Sequence, residues 1–207
     1  MKLYSNAQSP SCKRITAMAI ELGQKLDVVE MDFMKGDMQK PEYLAENPMG
    51  KVPTLEDDGW TLWESPAILV YLAAKNPQAN LLPTDARGRA EAMRWMFWNA
   101  SHLESAVYRV GYEKAVKPFL GQQPDPAKIA EGKEWFDRFA PVLNGHLEGK
   151  TWMLGNGFSI ADLCLGTTVE FAAALDIGLN THRHISAWLG RLQARESWKK
   201  AGSGPTK

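Results

Sequence analysis

Ser9-Pro10-Ser11-Cys12 is the stretch that decides the fold. It follows a short apolar strand, Lys2-Leu3-Tyr4, and opens an amphipathic helix. Ile15, Met18, Ala19 and Leu22 fall at i, i+3, i+4 and i+7, and Gly23 ends the run. The four residues have the spacing of a Cys-Pro-x-Cys redox motif with serine in the first place. A thiol at position 9 would be an exposed nucleophile at a helix N-terminus, its pKa lowered by the dipole. A hydroxyl there forms no disulfide, but it donates a hydrogen bond to another molecule's thiolate. The position suits a thiol that arrives with a ligand.

Outward from this stretch, the first 75 or so residues alternate strand and helix. Lys25–Asp32 reads as a second strand, and Asp37–Glu46 as a short polar helix or irregular turn interrupted by Pro41. Thr54–Asp57 and Trp60–Trp63 flank Asp58-Gly59, a two-residue hairpin signal. Ser65 is placed to cap the next helix and Pro66 to begin it, with Ile68, Leu69 and Leu72 on its buried face. Pattern alone gives α/β for this part.

Two prolines, two asparagines and a glycine then mark a linker, and no strand signal follows it. Helices are predicted over Arg89–Lys117, bent near Gly111, from Pro124–Pro126 to about Leu147, over Ser159–Leu175 and over Ile185–Arg195. Gly155-Asn156-Gly157 reads as a loop, and Ala201–Lys207 as a disordered tail. The expected domains are 1–76, a linker at 77–88, and an all-α domain at 89–207. Most of Trp95, Phe97, Trp98, Trp135 and Phe139 are expected in its core. Asn99, His102 and Glu104 are read as exposed.

The composition is that of a chain able to bury a core: 207 residues with 24 basic and 24 acidic side chains. Balanced charge gives no field favouring nucleic acid or an acidic membrane surface. No apolar run approaches the ~20 residues that span a bilayer, and no signal-peptide pattern is present. Cys12 and Cys164 are too dispersed for a disulfide framework or a zinc site, so no metal is expected and a reducing cytoplasm is the default.

Two further segments complete a family pattern: Asn47-Pro48-Met49-Gly50-Lys51-Val52-Pro53 and Trp63-Glu64-Ser65-Pro66-Ala67-Ile68. With Ser9, and with Phe158-Ser159-Ile160-Ala161-Asp162 downstream, the chain resembles a cytosolic glutathione transferase over residues 1–200. The pattern is of the bacterial, serine-type, theta-, phi- or beta-like kind. The resemblance implies a thioredoxin-like N-terminal domain, a C-terminal helical bundle, and glutathione as co-substrate with no metal. It also implies a homodimer and a hydrophobic electrophilic small molecule as the second substrate.

By that resemblance Ser9 is the thiolate donor. Ser11 is the rival, but the gapless register through Lys13-Arg14-Ile15 favours Ser9. Tyr4 lies near the position where other classes keep a donor tyrosine and is read as wall. A free cysteine thiol has a pKa of about 8.5, and lowering it to about 6.5 raises the thiolate at pH 7 from ~3% to roughly three-quarters. Val52-Pro53 matches a cis-proline step at which Val52 pairs with the cysteinyl unit like an added strand. Lys51 is assigned to the glycyl carboxylate, with Gln39 and Lys40 as weaker candidates. Glu64 and Ser65 match the site for the γ-glutamyl end, its carboxylate at a helix N-terminus. Ser159-x-x-Asp162 is read as a structural capping box. Ser105, Tyr108, Tyr112 and Phe119 are expected to wall an electrophile pocket. Two other readings remain: a glutathione-binding scaffold without turnover, and a glutathione-dependent thiol or peroxide reductase, of which thiol-disulfide chemistry would require a reactive Cys12.

Overall fold

The computed structural model describes residues 1–155 and 157–202. Asn156 and residues 203–207, within the loop and tail expected above, lie outside the described residues. The chain divides into two compact units, 1–82 with 194–207 and 83–193.

The first unit is built on a four-stranded sheet in the order β2-β1-β3-β4. These strands are β1 (Lys2–Ser5), β2 (Asp27–Glu30), β3 (Thr54–Asp57) and β4 (Trp60–Trp63). β1 pairs parallel with β2 through the crossover helix α1 (Pro10–Glu21), and antiparallel with β3. β3 and β4 form the hairpin that Asp58-Gly59 signals, with φ of 57° and 79° at those two residues. Helix α2 (Pro41–Glu46) follows a single turn at Asp37–Gln39, and α3 (Ser65–Lys75) closes the run. Leu3, Ile15, Met18, Leu55, Ile68, Leu69 and Leu72 are buried where α1 and α3 pack on the sheet. Met31, Met38 and Tyr43 are buried together, with Tyr4, Val29 and Val52 packed against them.

The α1 C-terminus is closed by Gly23 in the left-handed conformation (φ 62°). The Gln24 N–H reaches the Ala19 carbonyl at 2.8 Å and the Gly23 N–H that of Ile20 at 3.1 Å, the paired bonds that satisfy terminal carbonyls. Beside it packs a helix the sequence reading missed, α10 (Glu196–Gly202). It belongs to the first unit, so the expected 89–207 domain loses its last residues. Arg195 donates two bonds to the Glu21 carboxylate at 2.8 and 2.7 Å, and the Ser197 hydroxyl donates a third.

Burial raises the Glu21 carboxyl, but Arg195 and Ser197 outweigh it and the net shift is downward. A depressed acid stabilises the fold above its ordinary pKa of 4.5, and that contribution disappears as pH falls through the depressed value. Acidification below 4.5 is therefore expected to loosen α10 from α1. The indole NMR signal of Trp198, whose ring lies under the Lys13 ammonium at 4.8 Å, should shift in that range. A Glu21→Gln variant should show no such transition; an unchanged transition would refute the linkage.

The second unit is helical: α4 (Ala86–Trp98), α5 (Glu104–Gly111), α6 (Lys117–Phe119), α7 (Pro126–His146), α8 (Ile160–Ala174) and α9 (Arg183–Ala194, its last residue grouped with the first unit). α4 to α6 are one helical run with wider π-type turns at Asn99–Leu103 and Tyr112–Val116, the second beginning just after Gly111. A Cβ on Gly111 would lie 2.4 Å from the Phe171 ring, so only glycine lets α5 approach α8 this closely. Phe97 and Trp135 were expected in the core but are 66% and 41% exposed. Asn99, expected at the surface, is buried beneath the first π-type turn, its amide donating to Glu104 and Thr168.

Candidate active site

The sheet register gathers the site at one end of the first unit. Tyr4 pairs with Thr54, and Thr54 with Trp63. Ser5 and the loop to Ser9 therefore leave β1 where Val52-Pro53 enters β3 and Glu64-Ser65 leaves β4. The N-termini of α1 and α3 both start at this end, bringing unpaired N–H groups and positive dipole ends with them.

Ser9 is the residue before α1, in extended conformation (φ −84°, ψ 120°). Its Oγ accepts the Cys12 N–H at 3.4 Å, and its carbonyl accepts Cys12 and Lys13 N–H at 3.1 and 3.0 Å. A hydroxyl used as an acceptor keeps its own proton for donation. Ser11 sits inside the first helical turn, half-buried, without that capping geometry. Cys12 is buried behind Ser9, and its sulfur accepts the Asn6 N–H at 3.4 Å. Burial pushes its thiol up against the opposing Asn6, Ser5 and Ser9 bonds, which keeps it protonated and unreactive.

The Tyr4 hydroxyl is engaged with another group: it donates to Glu56 at 3.2 Å. The Tyr4 ring meets Tyr43 edge-on at 5.5 Å. Burial raises its pKa, so the phenol stays neutral.

The Val52-Pro53 bond is cis, as the resemblance implied. The loop before it is braced by a closed set of bonds. Asn47 Nδ2 donates to the Lys51 carbonyl (2.7 Å) and to Thr54 Oγ1 (3.0 Å), while the Tyr43 hydroxyl meets both the same carbonyl (2.5 Å) and Thr54 (2.9 Å). Among the described residues neither the N–H nor the C=O of Val52 has a partner. Lys51 is exposed and among the described residues is in no ion pair, whereas the Lys40 ammonium is held by Asp37 at 2.6 Å. The Gln39 amide lies against Gly50, where a Cβ would come within 2.9 Å of it.

Glu64, and not Ser65, is the cap residue of α3; Ser65 is its first helical residue and Pro66 its second. The reason is the Glu64 backbone at φ 71°, ψ 103°, a conformation that costs a non-glycine residue about 1–3 kcal/mol and concentrates at ligand sites. It turns the chain so that the Glu64 carboxylate is exposed and makes no capping bond. Ser65 is only 5% exposed, and among the described residues its hydroxyl has no hydrogen-bond partner. The first bond of α3 runs from Ile68 N–H to the Glu64 carbonyl, leaving the Ser65 and Ala67 N–H groups without helical partners.

In the second unit Tyr108 and Tyr112 are exposed one turn apart, with ring centroids 6.2 Å apart. The Ser105 hydroxyl donates to the Ala100 carbonyl at 3.1 Å, and Phe119 is exposed at the end of α6. Asp162 is structural, as read: it accepts Ser159 N–H (2.9 Å), Ser159 Oγ–H (2.8 Å), Met153 N–H (2.8 Å) and Trp188 Nε1–H (2.8 Å). No His, Cys, Asp or Glu group among the described residues could hold a metal ion, and no helix among them is long and apolar enough to cross a membrane.

Asn6 was missed by the sequence reading. It is a loop asparagine in no motif, and only its several bonds in the structure single it out.

Residues 1–74 match the family profile of the glutathione S-transferase N-terminal domain, and residues 108–196 that of the C-terminal domain. A probable glutathione S-transferase of Oryza sativa is 32% identical over 98% of this chain and 96% of its own length. A glutathione S-transferase-I solved with lactoylglutathione bound is 27% identical, with a TM-score of 0.87 over 98% of both chains. A glutathione transferase of Burkholderia graminis, solved with two glutathione molecules per subunit, is 27% identical with a TM-score of 0.86 over 100% of this chain and 88% of that one.

Proposed function

The chain belongs to the glutathione transferase family, and from that membership we propose that Ser9 stabilises the thiolate of bound glutathione for attack on an electrophilic carbon. The protein is a glutathione transferase with glutathione as co-substrate. The observation that carries the proposal is the set of polar groups gathered at one end of the sheet. The Ser9 hydroxyl, the Val52 N–H and C=O, and the Ser65 hydroxyl and N–H are matched in kind to a thiol, a peptide unit and a carboxylate.

In this reading Val52 pairs with the cysteinyl unit, and Ser65 and the α3 N-terminus hold the γ-glutamyl carboxylate. Glu64 faces the α-ammonium. Lys51, in no ion pair among the described residues, takes the glycyl carboxylate; Gln39 is close enough to the same loop to assist, and Lys40 is engaged with Asp37. The thiol proton passes to water. Ser9 then donates to the sulfur, which forms the new carbon–sulfur bond as the leaving group departs. Ser105, Tyr108, Tyr112 and Phe119 are assigned to the hydrophobic electrophile; the two exposed tyrosine rings suit an apolar partner. Ser11 and Tyr4 are given no chemical role. The buried, protonated Cys12 counts against a thiol reductase.

We assign the protein to the cytosol as a twofold homodimer. An exposed aromatic face of the second unit, with Trp135 stacked on Phe139 at 5.7 Å and His102 against Phe139 at 5.2 Å, supports a second copy as its cover.

The test is an ultraviolet titration of the thiolate of glutathione bound to the purified protein, with light scattering of the same sample for its mass. A bound-thiol pKa well below that of free glutathione is expected. Tight binding with an unshifted pKa would refute thiolate activation, and a monomer mass would refute the homodimer.

A further inference from the structure

The loop that delivers Ser9 is organised by one residue. Asn6 is 8% exposed, and each of its polar groups is engaged. Its Nδ2 donates to the Met31 carbonyl just beyond β2 at 2.8 Å. Its Oδ1 accepts the Gln8 N–H at 2.9 Å, the side-chain turn asparagine makes two residues on. Its carbonyl accepts the Ser9 N–H at 3.0 Å, and its own N–H points to Cys12 Sγ at 3.4 Å. Asn6 thus ties together the end of β2, the turn before the helix, the backbone of Ser9 and the first turn of α1. Beside it the Ala7 N–H donates to Glu30 at 3.1 Å, a second tie of the same loop to β2.

Among the described residues the Ser9 hydroxyl meets only Cys12, through the long 3.4 Å bond from its N–H and a side-chain contact with its thiol. A bond of that length fixes a hydroxyl weakly, so its direction is set by the backbone that carries it. That backbone is anchored by Asn6 on the N-terminal side and by α1 on the other. We infer that Asn6 is a positioning residue that fixes where Ser9 aims its hydroxyl, a role that rests on Ser9 being the thiolate donor. Asn6 itself is buried among protein groups and need not touch the ligand. Errors of about 1 Å in such placement cost up to roughly a hundredfold in rate.

The experiment is a double-mutant cycle of Asn6→Ala with Ser9→Ala, reading kcat/KM and the pKa of the bound glutathione thiol. Asn6→Ala should lower kcat/KM roughly ten- to a hundredfold and raise the bound-thiol pKa toward the free value, with glutathione affinity within about threefold. In the Ser9→Ala background the same change should cost less than about twofold. Asn6→Ser keeps a hydroxyl that can accept the Gln8 N–H but not the reach to Met31. It should recover part of the loss, and it serves in place of alanine if Asn6→Ala does not fold. An equal loss in both backgrounds, or an unmoved thiol pKa, would overturn the inference. If Ser9→Ala alone leaves rate and pKa unchanged, the donor assignment itself falls, a result separate from the failure of Asn6.

Discussion

Ser9→Ala is expected to lower turnover a hundredfold or more, on the order of 3 kcal/mol of transition-state stabilisation, with glutathione affinity nearly intact. The split follows from the geometry. Affinity in the proposed site comes from Val52, Lys51, Glu64 and Ser65, none of which is hydrogen-bonded to Ser9 among the described residues. Ser9 contributes only where negative charge sits on sulfur, so its loss falls on the reactive state. The alanine variant also loses the cap bond to Cys12 N–H, worth about 1 kcal/mol of stability, so Tm must be measured beside kcat. A bound-thiol pKa returned to the free value would confirm the role. Full activity in Ser9→Ala with loss in Ser11→Ala would move the donor two residues along.

The second large effect concerns stability. Asp162→Ala should destabilise the fold by about 3–5 kcal/mol, because removing it orphans the Met153 N–H, the Ser159 N–H and the Trp188 indole together. For a chain of this size that lowers Tm by roughly 6–20 °C. Burial drives the Asp162 carboxyl up and its four donors drive it down, with burial the larger. A group so enclosed has no route to a substrate. The folded fraction of the variant should bind glutathione normally. A drop in kcat at unchanged Tm would contradict the structural role.

Much of this was legible in the residues. The hairpin at Asp58-Gly59 was readable because two adjacent positive φ values demand such a pair. The α1 face was readable because Ile15, Met18 and Ala19 keep a strict helical period. Ser9, Val52-Pro53 and Glu64-Ser65 could be named, but their meeting depends on strand register, which no single segment encodes. α10 escaped notice because one apolar residue, Trp198, carries its buried face, and the rest of its attachment is polar pairing with Glu21. The π-type turns were illegible because they reflect packing around Asn99 and Gly111, not local propensity. Ser65 was misread as a cap because the Glu64 backbone adopts a conformation that propensity assigns to glycine. Such local disagreements are expected where binding outranks comfort of the chain.

The placement of α10 with the glutathione-binding unit also bears on how the protein is made. Residues 1–82 leave the ribosome first, yet the helix that covers α1 and supplies Arg195 and Ser197 to Glu21 emerges only after the whole second unit. At about 5–20 residues per second, the nascent glutathione-binding unit waits on the order of ten seconds for its last piece. During that interval α1 lacks a neighbour and the helical unit is already being synthesised. The glutathione-binding unit is split in sequence around the helical unit, so α10 docks on α1 only after that unit has been synthesised.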